Sequence, residues 1–207
     1  MKKLLLRQSI KKIHLEDCFE GDVNGYDILS SLLTSNKNFA EIDLERNHIR
    51  TGGGTEISDY LATNPPLKKL CLANNNLNDE DAVLIARALK HNTNLKYLWL
   101  GGNNITEVGV NALSNAVYDP TSLNSVADCN HKCCIHGLNL SNDFPRNHAK
   151  YTSEESRRRK IYRLLSSRNR EESNVYHLNL EFGDENDDED SIKLVPKVLE
   201  SVSHYSR

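Results

Sequence analysis

The sequence predicts an α/β solenoid with one strand and one helix per repeat, and two observations carry the prediction. An eleven-residue phrase occurs twice in full, LKKLCLANNNL at 67–77 and LKYLWLGGNNI at 95–105, with a start-to-start spacing of 28 residues. Stepping back by the same interval reaches FAEIDLERNHI at 39–49, and a fixed period of this length marks stacked supersecondary units. Within each unit, moreover, the hydrophobic spacing changes from alternation to an i, i+4 pattern, which is a strand followed by a helix.

The phrase reads L-x-x-L-x-L-x-x-N-x-L. Its first, fourth and sixth positions are Phe39, Ile42 and Leu44, then Leu67, Leu70 and Leu72, then Leu95, Leu98 and Leu100. Positions four and six bury one face of a short strand. The ninth position is Asn47, Asn75 and Asn103. A carboxamide there satisfies backbone groups where the chain turns off the strand. Helices follow at Ile57 and Leu61, Ile85 and Leu89, and Leu113 and Val117, with Ala86, Ala88 and Ala116 permitting close packing. Asn64 and Asn92 are expected to stop two of them. The first unit begins at Ile10, with Ile13 and Leu15 in its strand, Cys18 at the asparagine position, and Ile28, Leu29, Leu32 and Leu33 in its helix.

Beyond residue 122 the pattern decays. A fifth strand is expected from Leu123 and Val126, with Ser125 and Ala127 facing the same way as Tyr97 and Trp99. An insertion is expected at about 134–153, containing Pro145. A rival reading makes IHGLNL at 135–140 the strand, with Ile135, Leu138 and Leu140 as anchors. A helix capped by Ser153 should follow, with Glu154 and Glu155 in its first turn and Ile161 and Leu165 on its buried face. A terminal unit is expected from VYHLNL at 175–180, an acidic loop at 183–190, and a last helix carrying Ile192, Val195, Leu199 and Val202. The chain thus divides into regular repeats at 1–122 and a degenerate repeat plus terminal repeat at 123–207 of the same solenoid.

Composition narrows the function classes. A hydrophobic content of 38% suits units that each bury a thin slice, and a net charge of −3 argues for neither nucleic acid nor a membrane surface. Five cysteines without a regular framework read as reduced thiols, hence a cytoplasmic or nuclear protein. MKKLLLRQSIKK lacks the apolar run of about seven residues a signal peptide needs, and no stretch approaches the ~20 of a membrane helix.

These residues resemble the leucine-rich repeats of the ribonuclease-inhibitor type, the long class also found in NOD-like receptors and in the GTPase-activating protein for Ran. The match is strong over 39–122, fair over 10–38 and weak beyond Leu123. The resemblance implies a curved arc with parallel strands on the concave face and helices on the convex face. It implies a noncatalytic module that binds a protein partner. The alternative is a regulatory role of the GTPase-activating or receptor-sensor kind, which needs a loop arginine or an effector domain that the sequence does not identify. No N-terminal cap is recognisable, which leaves both a stand-alone arc and a piece of a longer array open.

On that arc the third, fifth, seventh and eighth phrase positions face the concavity. They gather Trp99, Tyr97, Arg46, Asp43, Glu41, Lys69, Cys71 and Glu45, an aromatic pair among charges with the composition of a binding hot spot. The bland alternative lays Trp99 flat over Cys71 and Ala127 as packing. CNHKCCIH at 129–136 offers Cys129, His131, Cys133, Cys134 and His136 as zinc-type ligands, but without the second ligand pair a structural site requires, so no metal is expected. RRRK at 157–160, with Arg163, Arg168 and Arg170, makes a basic helix at 157–170, a third-ranked nucleic-acid candidate without an aromatic platform. GGG at 52–54 lacks the lysine and Ser/Thr of a phosphate loop, and the acidic loop has Glu189 where a calcium loop needs glycine. Neither an enzyme nor a cofactor is expected.

Overall fold

The computed structural model describes residues 10–19, 25–35, 38–139 and 144–168. Its elements are β1 (Lys12–His14), α1 (Gly25–Leu33), β2 (Glu41–Asp43), α2 (Glu56–Ala62), β3 (Lys69–Cys71), α3 (Asp79–Leu89), β4 (Tyr97–Trp99), α4 (Glu107–Val117), α5 (Leu123–Ala127), β5 (Cys134–His136) and α6 (Ser153–Arg168). The five strands form one parallel sheet in sequence order. This is the expected α/β solenoid, with strands on the concave side and helices on the convex side.

Each of β2 to β4 buries only its central residue, the fourth phrase position, and turns its two outer residues away from the helices. The first and sixth positions are buried with it, as are the helical pairs Ile57 and Leu61, Ile85 and Leu89, and Leu113 and Val117. Burying such a side chain contributes roughly 1.5–3 kcal/mol, and each repeat adds one slice to a continuous core.

The ninth-position asparagines form a ladder along the arc. Asn75 Nδ2 donates to the carbonyls of Leu44 and Leu72 while its Oδ1 accepts from the Asn47 and Ile49 amides. Asn47 Oδ1 accepts from the Cys18 amide in turn, and Asn103 Oδ1 from that of Leu77. The eighth position holds left-handed backbone in four consecutive repeats, at Asp17, Arg46, Asn74 and Gly102. That conformation turns the chain off the strand, and three of the four residue types tolerate it well.

The degenerate region departs from the sequence reading. Residues 123–127, expected to be the fifth strand, form the short helix α5, started by Ser122 Oγ accepting from the Ser125 amide. The fifth strand lies at Cys134–His136, inside the expected insertion, and Cys134 pairs with Tyr97, 37 residues earlier. The extra residues therefore precede the strand, where α5 and its flanking turns sit. IHGLNL was the nearer alternative but out of register, because Ile135 pairs with Leu98 at the fourth position rather than opening the phrase. The buried anchor before it is Cys133. Its amide donates to Asn130 Oδ1 as that of Leu95 donates to Asn92 Oδ1.

α6 is capped by Thr152 rather than Ser153. Thr152 Oγ1 accepts from the Glu155 amide, and Glu155 Oε2 accepts from the Thr152 amide, the reciprocal arrangement of a capping box. Ile161 and Leu164 pack with Tyr118 and Val126 in a satellite cluster that Leu165 and Phe144 flank. The terminal unit expected at 175–202, including its acidic loop, lies outside the described residues.

Candidate partner-binding face

Because the phrase is in register across β1 to β4, its variable positions line up in rows on the concave face. The fifth-position row runs His14, Asp43, Cys71, Trp99 and His136, and the third-position row runs Lys12, Glu41, Lys69, Tyr97 and Cys134. Ala127 and Ser125, expected beside Trp99 and Tyr97, lie instead within the short helix α5. His136 takes the place of Ala127.

That exchange changes the aromatic end of the face. Trp99 stacks on His136 with ring centroids 5.1 Å apart and planes 16° from parallel. Tyr97 stacks on Trp99 at 5.5 Å and 26°, and on His136 at 6.1 Å and 29°. Trp99 and Tyr97 are partly exposed and His136 is exposed. Stacking with offset rings contributes about 0.5–1.5 kcal/mol per pair and holds the rings in one orientation. Burial lowers the proton affinity of His136, with Arg146 adding repulsion. That shift favours the uncharged imidazole. Beside the stack lies a cavity of about 300 Å³ lined by Tyr97, His136, Leu138, Arg146 and His148 among others.

The other end of the face is charged. Glu41 is held by Lys12 at 2.9 Å and Lys69 at 3.6 Å, and the Lys12 contact holds its carboxyl below the usual carboxylate range. Arg46 reaches Glu16 at 3.4 Å and Glu45 at 3.9 Å. Asp43 lies 3.7 Å from His14. The Sγ of Cys71 and carboxylate oxygens of Asp43 and Glu45 fall within 4.8 Å of one another. Desolvation pushes the Cys71 thiol up to about 12, with both carboxylates adding to the shift. A protonated thiol is a poor metal ligand and a poor nucleophile.

The zinc-type cluster does not assemble. Cys133 sits in the repeat core, His136 on the concave face, and Cys129 Sγ under the C-terminal end of α4, donating to the carbonyls of Asn115 and Ser125. His131 Nδ1 faces Lys160 Nζ at 3.5 Å. Among the described residues these side chains do not converge on one point.

The basic run on α6 is largely consumed by the fold. Arg158 pairs with Glu154 at 2.7 Å, and Arg159 lies 4.1 Å over the Tyr151 ring. Lys160, only 2% exposed, donates to the carbonyls of Val117, the last residue of α4, and Asn130. A buried ammonium is favoured there by the negative end of the α4 dipole, though desolvation still lowers its pKa to about 7. Burial, reinforced by the Lys160 charge, lowers His131 to about 4. Arg157 and Arg163 stay exposed, while Arg170 lies outside the described residues.

Residues 63–86 and 91–114 each match the leucine-rich repeat family model. No curated protein matches the chain. No helix among the described residues is long and apolar enough to cross a membrane.

Proposed function

We propose that this leucine-rich repeat protein is a noncatalytic module of the ribonuclease-inhibitor-like kind that binds a protein partner on its concave strand face, centred on Trp99 and Tyr97. One observation carries the reading. Three stacked rings, Tyr97, Trp99 and His136, stand side by side on a rigid sheet, with Tyr97 and Trp99 partly exposed and His136 exposed. Rigid aromatic side chains bind at a low ordering cost and dominate the energetics of protein interfaces. Glu41, Asp43, Glu45, Arg46, Lys69 and Cys71 form the polar surround that sets orientation. The charged half of the face argues against nucleic acid, because Asp43 and Glu45 would repel phosphates arriving at the stack. Catalysis has no support in a face whose thiols, Cys71 and Cys134, are both pushed toward the protonated form by desolvation, Cys134 donating to the Asn147 carbonyl.

The test is affinity capture with the full chain compared with its Trp99→Ala variant. The reading expects a captured protein to be lost with Trp99→Ala while the variant keeps the wild-type melting temperature within a few degrees. Equal capture by a folded Trp99→Ala protein contradicts it.

A further inference from the structure

The concave face has a low floor between two unlike walls. Cys71 separates Asp43 from Trp99 in the fifth-position row, and Ala73 and Gly101 continue small side chains at the seventh position beside it. On one side stand the Asp43 and Glu45 carboxylates, on the other the Trp99 ring with Tyr97 and His136 stacked against it. Asp43 and Trp99 are two strands apart, which at ~4.8 Å per strand is about 10 Å. We infer that this notch receives a cationic side chain, arginine or lysine, of the protein partner, held between the aromatic stack and the two carboxylates. The inference rests on the concave-face reading above.

Geometry and charge both favour that occupant. A cation sits within about 6 Å of a ring centroid and about 2.8 Å from a carboxylate oxygen, so one guanidinium spans the notch and touches both walls. The planar guanidinium also stacks on indole, which favours arginine over lysine. Glu41, one row away, is already held by Lys12 and Lys69. Asp43 and Glu45 are held mainly by neutral donors, the Glu45 amide on Asp43 Oδ1 at 3.1 Å and Asn74 Nδ2 on Glu45 Oε1 at 2.8 Å, while their basic neighbours, His14 at 3.7 Å and Arg46 at 3.9 Å, stand farther off. Two carboxylates brought this close repel one another, and an incoming cation relieves the repulsion. The floor itself is neutral because the Cys71 thiol holds its proton. An anion is repelled by the same carboxylates, and an apolar side chain desolvates them without supplying a counter-charge.

A displayed library of random linear peptides, selected against the immobilised full chain, tests the inference without presuming the partner. The expected binders carry an arginine or lysine that cannot be replaced by citrulline or glutamine without a loss of about five- to tenfold in affinity. The Asp43→Asn, Glu45→Gln double variant should lose a similar factor. The two losses should not add in a double-mutant cycle, whereas Glu107→Gln, on the exposed first turn of α4, should leave affinity unchanged. Binders weakened by Trp99→Ala but lacking any basic residue, or additive losses in the cycle, overturn the cationic notch and leave the concave-face reading standing. A library that yields no binder sensitive to Trp99→Ala overturns both.

Discussion

Replacing Asn75 by alanine should be among the most destabilising changes in the chain, although it removes little apolar surface. Asn75 is 5% exposed, and its Oδ1 accepts from two amides, those of Asn47 at 3.0 Å and Ile49 at 2.9 Å. Its Nδ2 donates to the carbonyls of Leu44, Leu72 and Ala73. Alanine leaves both amides without an acceptor in a site that water does not reach freely. Each orphaned buried donor costs about 1–3 kcal/mol, so the pair together with the lost carbonyl contacts should cost about 3–5 kcal/mol. For a chain of this length 1 kcal/mol moves the melting temperature by about 2–4 °C, so the expected drop is about 6–20 °C. Thermal melting followed by circular dichroism reads it directly. Asn104→Ala, one residue from the neighbouring rung and exposed, should change stability by no more than about 0.5 kcal/mol. An Asn75→Ala protein melting within about 2 °C of wild type would refute the ladder as the source of the repeat's stability.

Other expectations follow from single contacts. Gly102 adopts φ +70°, and a Cβ built there lies 2.0 Å from Asn74 Oδ1, so Gly102→Ala should lower stability by about 1–3 kcal/mol in urea unfolding. Lys160 has its pKa lowered to about 7 by burial, so between about pH 7 and 10.5 the unfolded chain binds the extra proton and stability rises with pH. The buried thiols Cys129, Cys133 and Cys134, pushed upward by desolvation, oppose this once unfolded thiols ionise above about pH 8.5. Denaturation at pH 7.0 and 8.5 should therefore show stability rising for wild type and a smaller rise for Lys160→Met. Equal slopes would remove Lys160 from the explanation.

Regular repeats were readable because one spacing served three successive units, with the first offset by a single residue. Anchors such as Leu70 and Leu98, the helical pairs and the asparagine rungs follow from a 28-residue period, and β2, β3 and β4 keep it. The fifth strand escaped the same reasoning for physical reasons. Cys133 replaces the leucine anchor, only one residue separates it from Ile135, and Gly137 stands opposite the Leu100 position, so no apolar triplet marks the phrase. Gly137 itself was a usable signal. It adopts φ +80°, and its Cβ would lie 2.5 Å from the Gly101 backbone, which is the crossing of two turns on adjacent strands. Among the site residues, Trp99 and Tyr97 were legible from their phrase positions, whereas His136 was hidden in a cysteine- and histidine-rich run that suggests metal. The basic run RRRK read as a surface patch because sequence alone does not reveal that Lys160 caps the carbonyl end of α4.

Trp99 is the only tryptophan in the chain, so its emission reports on the concave face alone. Titration of the captured partner, with its own tryptophans accounted for, should shift or quench that emission with the same midpoint as binding measured independently by calorimetry. Calorimetric binding that leaves Trp99 emission unchanged would place the interface elsewhere and contradict the central claim that the aromatic stack on the strand face is where the partner docks.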